Sequence, residues 1–266
     1  MQGLFTFTVD DNIIFLEDLT KRSYASIFDH PYLAIYKRLH ERQGVKIQLN
    51  LFYEKSGFDL SLMTDSHKDE WKASSDWLKL SFHSRLENVD PYKDSAYEEV
   101  FSDCATVHRE ILRFAGKDSL AATTTVHCCR ATADGIRALN DNGVKGLLGL
   151  YGTDEKPRSS YQTAEREAAI IRAGDSVYES GIAYAGIDIV LNTVTKEEIL
   201  SRLDRLCDRK LIKIMIHEQY FYDFYHAYQP DFEEKITAAI EFLNKRGYES
   251  AFFEDTLADK KRQNKF

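Results

Sequence analysis

The hydrophobic and polar positions divide the chain into strands that alternate with helices. Residues 4–9, Leu-Phe-Thr-Phe-Thr-Val, are apolar or β-branched throughout and then stop on Asp10-Asp11-Asn12. That is the pattern of a strand buried on both faces. Residues 12–30 are mixed in character and read as a loop with at most a short turn. Pro31 suits the first turn of a helix, Leu33, Ile35, Tyr36 and Leu39 follow at helical spacing, and Gly44 ends it. Residues 45–53 alternate cleanly and predict a second strand, whereas the polar stretch 54–76 reads as an insertion over one rim. A third strand spans 78–84 and ends on His83-Ser84.

A helix is predicted over 97–114, with Val100, Phe101, Val107, Ile111, Leu112 and Phe114 on its buried side. The Thr-rich run 120–129 predicts a fourth strand, followed by a helix over 133–139 that Asn142-Gly143 stops. Residues 144–151 form the fifth strand, 152–186 a second insertion, and 187–191 a short apolar strand. Thr195 with Glu198 three residues on is a capping-box pattern. Residues 211–216 are the next strand, ending on His217-Glu218; a helix over 231–246 closes at Gly247, and 248–253 is the last strand.

Strand–helix alternation with few hairpin signals points to parallel β/α units. No repeat or low-complexity linker interrupts it, so one domain over 1–266 is expected. In a parallel barrel the C-terminal strand ends gather on one rim, where catalytic groups sit. Strand side chains alternate between faces, so Asp10 and Asp11 cannot both continue the buried pattern. A turn that caps the next helix is the structural alternative. Polar clusters at other strand ends, namely His83-Ser84, Arg130 and His217-Glu218, shift the balance toward a site.

Composition narrows the partners. The 266 residues are 43% hydrophobic and 29% charged, as expected of a soluble globular protein, with a formal net charge of −8. That charge argues against nucleic acid or an anionic membrane and favours a neutral or weakly charged substrate. There is no basic-then-apolar leader and no run of ~20 apolar residues, so a cytoplasmic protein is expected. Cys104, Cys128, Cys129 and Cys207 lack any CxxC spacing and read as reduced thiols. An oligomer is compatible with the sequence.

With these strand ends in order, the chain resembles the polysaccharide deacetylases, the NodB-homology group of carbohydrate esterases. Thr8-Val9-Asp10-Asp11 is similar to that family's opening Thr-Phe-Asp-Asp, and His83-Ser84-Arg85-Leu86-Glu87 to its His-Ser/Thr-x-x-His. Arg130-Ala131-Thr132 resembles the third motif, and Ile214-Met215-Ile216-His217 the closing Leu-x-His. The resemblance spans nearly the whole chain and implies an α/β fold, a distorted (β/α)7-type barrel with two rim insertions. It implies Asp10 as general base, Asp11 and His83 as ligands of a divalent metal, Arg130 as the group orienting Asp10, and His217 as general acid. The implied activity is hydrolysis of the amide of an N-acylated sugar or a related small molecule, with zinc as the metal.

The departures bear on the same site. Glu87 stands where the family has its second His; it is taken as the third ligand, with His127 or Asn88 as alternatives. An Asp11–His83–Glu87 set suits zinc or another divalent ion but carries one more negative charge than Asp-His-His. Ala131 and Thr132 replace prolines, and only Asp154 and Asp188 are candidates for the family's Asp-Trp motif. Glu87 and the lost prolines favour the alternative reading, a catalytically silent barrel that binds a carbohydrate or a protein, whereas retention of Asp10, Asp11, Arg130 and His217 favours the enzyme. Residues 219–232 are rich in aromatic rings, so Tyr220 and Tyr222 are candidates for a sugar-stacking wall, with loop packing or a subunit contact as the alternative. Trp77 is a candidate for the same cleft, and Glu218 for support behind the site. His30, His40, His67, His108 and His226 show no ligand spacing.

Overall fold

The structure, a computed structural model, describes residues 3–87, 90–153 and 155–257. Its strands are β1 (Gly3–Asn12), β2 (Ile47–Lys55), β3 (Phe58–Asp59), β4 (Leu78–Leu86), β5 (Thr123–Thr124), β6 (Gly146–Gly149), β7 (Val177–Glu179), β8 (Ile182–Gly186), β9 (Ile189–Val190), β10 (Leu211–His217) and β11 (Tyr248–Ser250). Its helices are α1 (Ile14–Lys21), α2 (Pro31–Gln43), α3 (Lys68–Ala73), α4 (Tyr97–Phe114), α5 (Ala133–Asp141), α6 (Glu165–Arg172), α7 (Lys196–Leu206) and α8 (Phe232–Lys245).

Central to this arrangement is β1, paired in parallel with β10 along one edge and with β11 and then β2 along the other. β4 extends the sheet beyond β2, and β9 beyond β10. A second sheet runs β5-β6-β8-β7. Ala121 N donates to Leu80 O across one seam of the two sheets. At the other seam the chain passes directly from β8 to β9, with Ile187 N bonded to Gly149 O and Asp188 N to Lys213 O. Two sheets joined at both seams make a distorted α/β barrel.

Alternation along β1 divides its side chains. Phe5, Phe7 and Val9 pack outward under the helices, Phe7 edge-on to Tyr36 of α2 at 6.1 Å. Thr6, Thr8 and Asp10 face the interior. In register across the sheet, Thr6 meets Lys213, Thr8 meets Met215 and Asp10 meets His217, so the last pair lies at the C-terminal rim.

Several predicted elements take a different form. Residues 14–21 are the helix α1, not loop. No side chain of its own caps it; instead the Glu218 carboxylate, more than 200 residues away, accepts from the N–H groups of Ile13, Ile14 and Phe15 at 2.6–2.9 Å. The fourth strand shrinks to Thr123–Thr124, because Cys128 (φ +60°) and Cys129 (φ +55°) turn the chain into left-handed backbone. The second insertion holds α6 and the β7–β8 hairpin, of which β8 is a buried strand of the second sheet. On α4, Phe101 and Leu112 face outward instead of inward. The capping box at Thr195 and Glu198 forms as expected, and Gly44 and Gly247 carry the positive φ that ends α2 and α8. Among the described residues no helix is long and apolar enough to cross a membrane, and the four cysteines form no disulfide.

Candidate metal centre

Both aspartates at the end of β1 reach the same rim because the strand is not regular there. Val9 pairs with Leu49 but Asn12 with Leu51, so β1 carries one residue more than β2 over this step. Asp11 absorbs it with φ +63°. A bulge of this kind re-aims a side chain that alternation would send to the other face. β4 repeats the device: Leu51 pairs with Phe82 and Phe52 with Ser84, which makes His83 the extra residue. The third contributor, His127, sits immediately before the left-handed Cys128–Cys129 turn.

Three irregularities thus bring together Asp11, His83 and His127, whose ligand atoms all lie within 4.8 Å of one another. His83 Nε2 is 3.0 Å from Asp11 Oδ1 and 3.1 Å from His127 Nδ1, and His127 Nδ1 is 3.3 Å from Asp11 Oδ1. His83 Nδ1 lies 2.5 Å from the Thr125 carbonyl, which can only accept. The proton on that nitrogen is therefore assigned, and Nε2 of a neutral ring turns its lone pair to Asp11. A carboxylate oxygen and imidazole lone pairs converging at 3.0–3.3 Å need a positive charge between them. Without a cation the pair shares a proton. Burial works to raise Asp11, but His127 and His83 outweigh it and hold the carboxyl well below the usual range. Burial lowers His83, yet Asp10 and Asp11 outweigh it and raise the ring. Two nitrogens and one carboxylate oxygen are a donor set that fits a divalent metal, which would take that proton's place.

Asp10 stands beside this cluster under different control. Burial raises its carboxyl above the ordinary range, against the pull of His83, His217 and Asn50. Asn50 Nδ2 donates to Asp10 Oδ1 at 2.6 Å. Gln48 in turn donates to Asn50 Oδ1 at 2.8 Å and to the Thr123 carbonyl at 2.9 Å, while the Thr123 hydroxyl donates back to Gln48 Oε1 at 2.9 Å. A chain of neutral, buried amides across the barrel interior therefore sets the carboxylate's orientation. His217, in register with Asp10, has its Nδ1 2.9 Å from Asn192 Oδ1, so its Nε2 points away from that contact.

The remaining sequence candidates lie elsewhere. Glu87 is not in the cluster; it pairs with Lys55 at 2.8 Å. His83 to Leu86 is extended, not helical, and four residues of strand place Glu87 on the order of 13 Å along the chain from His83. Arg130 does not reach Asp10: its Nη1 donates to Asp90 at 2.6 Å, with the side chain half exposed. Trp77 precedes β4, so it belongs to the opposite end of the strands, stacked on His40 at 4.4 Å and on Phe28 at 5.5 Å. Tyr220 stays near the site, its ring 6.1 Å from His217. Tyr222 turns inward and donates its hydroxyl to Glu218, whose carboxyl burial pushes up to about 7 against the four donors around it. Asp188 pairs with Lys213 and Arg209, well below the rim. Asn88 and Asp154 fall outside the described residues.

Asn50, Gln48, Gln219 and Asn192 carry no motif, and sequence reasoning missed them. Gln48 and Asn50 do share the inward parity of β2, which is the one signal available beforehand.

No protein-family model matches the sequence, and no curated protein does. Solved structures match in fold. A proposed polysaccharide deacetylase from Mycobacterium smegmatis aligns over 99% of this chain and 92% of its own, with a TM-score of 0.62 and 8% identity. A family 4 acetyl xylan esterase from Clostridium thermocellum, solved with a cobalt ion, aligns over 97% and 92%, with a TM-score of 0.55 and 14% identity. A 4-alpha-glucanotransferase from Thermococcus litoralis aligns over 97% of this chain and 40% of its own, with a TM-score of 0.59 and 12% identity. The chain shares the barrel fold of deacetylases and esterases, and the same barrel also serves a glucan-transferring protein.

Proposed function

We propose that this protein is a divalent-cation-dependent hydrolase that removes an acyl group from an N-acylated sugar or a related amide. The observation that carries the reading is the convergence of Asp11, His83 and His127 beside the in-register pair Asp10 and His217. Asp11 Oδ1, His83 Nε2 and His127 Nδ1 would hold the ion, and zinc suits their donor set best. A divalent cation there supplies Lewis-acid chemistry, polarising an acyl carbonyl and acidifying water.

The chain's own groups supply the proton transfers. Asp10 accepts the proton of the attacking water. Its buried, upward-shifted carboxyl is a better base than an exposed one. Asn50 occupies Oδ1, so the second oxygen serves for transfer. His217 donates a proton to the departing amine nitrogen, without which an amide does not expel its leaving group. Asn192 holds that ring by its Nδ1. Tyr220, beside His217, offers an apolar face for a sugar ring.

A second reading rests on the displacement of Arg130 toward Asp90. Without a guanidinium fork on Asp10, the barrel would bind a carbohydrate and not turn it over. One experiment separates the two. Metal analysis is expected to find about one divalent ion per chain, and Asp10→Asn is expected to keep that ion while abolishing acetate release from N-acetylated oligosaccharides. A metal-loaded wild type that releases no acetate supports the silent barrel; release that survives Asp10→Asn removes Asp10 as the base.

A further inference from the structure

The aromatic segment after His217 is tied to the site at both ends. Gln219 Nε2 donates to Asp11 Oδ2 at 2.7 Å. Gln229 N donates to Tyr220 O at 2.9 Å and closes the segment on itself, while Gln229 Nε2 donates to Asn192 O at 2.7 Å. Asn192 is the residue that holds His217. Between these two feet Phe221 and Tyr222 pack inward on Tyr32 and Phe221 on Phe232, whereas the outer rings pack on each other: Tyr220 against Tyr225 at 5.2 Å, Tyr225 against His226 at 4.3 Å, and Tyr222 against Phe224 at 5.2 Å. Phe224 is 71% exposed and Tyr228 43% exposed, so the outer rings gain little from the core.

Gln219 is the foot that meets a candidate ligand. Its carbonyl oxygen Oε1 is buried without a hydrogen-bond partner, while its NH₂ faces a carboxylate that can only accept. Turning the amide over would set carbonyl against carboxylate, so Asp11 dictates its orientation. In return, Gln219 takes Oδ2 and leaves Oδ1 alone facing His83 and His127.

We infer that Gln219 is a positioning residue that couples cation binding at Asp11 to the order of the segment 220–229. The inference rests on the cation site proposed above. Linkage makes the coupling reciprocal: whatever factor Gln219 contributes to cation affinity, the bound cation returns as order in the segment. A bound cation therefore favours the ordered segment beside His217, and the ordered segment in turn favours the cation.

The test uses the full chain and needs no substrate. Zinc affinity is measured by competition with a chelator, and backbone hydrogen exchange is followed with and without zinc. Gln219→Leu is expected to weaken zinc binding about 10–100-fold, the usual cost of losing a group that holds a ligand. In the wild type, zinc should slow exchange across 220–229; in Gln219→Leu that zinc dependence should vanish. Tyr222→Phe, which loses its bond to Glu218 but not the Asp11 link, should keep both behaviours. Gln219→Met, close in shape, serves as a second variant if leucine unsettles the turn. Unchanged affinity in both variants, or a segment loosened equally with and without zinc, assigns Gln219 a packing role and overturns the inference alone. A wild type that takes up no zinc, cobalt or manganese overturns the cation site and this inference together.

Discussion

The side-chain amide of Asn50 donates to Oδ1 of Asp10 over 2.6 Å, and both groups are shut off from solvent. A neutral donor fixes the carboxylate's direction without lending it a full positive charge. Asn50→Leu leaves Asp10 folded into the rim but free to rotate. Because misplacing a catalytic group by about 1 Å can cost ~100-fold, kcat is expected to fall by about that factor while zinc content stays near one per chain. Acetate release with metal analysis on the same sample checks it.

The candidate metal cluster makes an unequal prediction for its two histidines and for Glu87. His127→Ala and His83→Ala are each expected to lose the bound ion, since each removes one of three donors. Glu87→Gln is expected to retain it, because Glu87 is engaged with Lys55. Elemental analysis after dialysis against a weak chelator distinguishes the outcomes.

Glu218 stabilises the turn that carries the site. Its carboxylate serves Ile13, Ile14, Phe15 and the Tyr222 hydroxyl at once. Glu218→Leu orphans three backbone donors at the start of α1, and each buried orphan costs about 1–3 kcal/mol. A loss of at least ~3 kcal/mol in urea unfolding is expected. Glu218→Gln, which keeps one acceptor, should cost less.

His108 on α4 predicts a pH dependence remote from the site. Burial lowers its pKa from the ordinary 6.5 to about 4, and its Nε2 lies 3.6 Å from Cys104 Sγ. The folded ring stays neutral while the unfolded one gains a proton below 6.5. Stability is therefore complete above pH 6.5 and declines as pH falls toward 4, by on the order of 3 kcal/mol at 1.36 kcal/mol per unit. Denaturant midpoints between pH 7 and 4 test this, and His108→Leu should flatten that part of the profile.

Local pattern accounts for much of this molecule. The 97–114 helix, the Pro31-to-Gly44 helix, the Thr195 capping box and the parallel strands were legible because their signals sit within a few residues of the structure they cause. The positions of Asp10, Asp11, His83 and His217 at strand ends were legible for the same reason. Helix α1 was not, because its cap arrives from Glu218 in the turn that follows β10. Likewise, the resemblance nominated Glu87 as a ligand, whereas the extended end of β4 carried it away from His83 and toward Lys55.

Local pattern alone sets chemically capable side chains at the ends of successive parallel strands. Which of them meet follows from how those strands pair in three dimensions. Alternation forbids Asp10 and Asp11 a common face, and one extra residue at φ +63° grants it. A second bulge aims His83, and a left-handed turn brings His127 in place of Glu87. The two bulges are one-residue departures from period two, set by how a strand pairs with its neighbour. That pairing is a property of two segments, and neither segment alone encodes it.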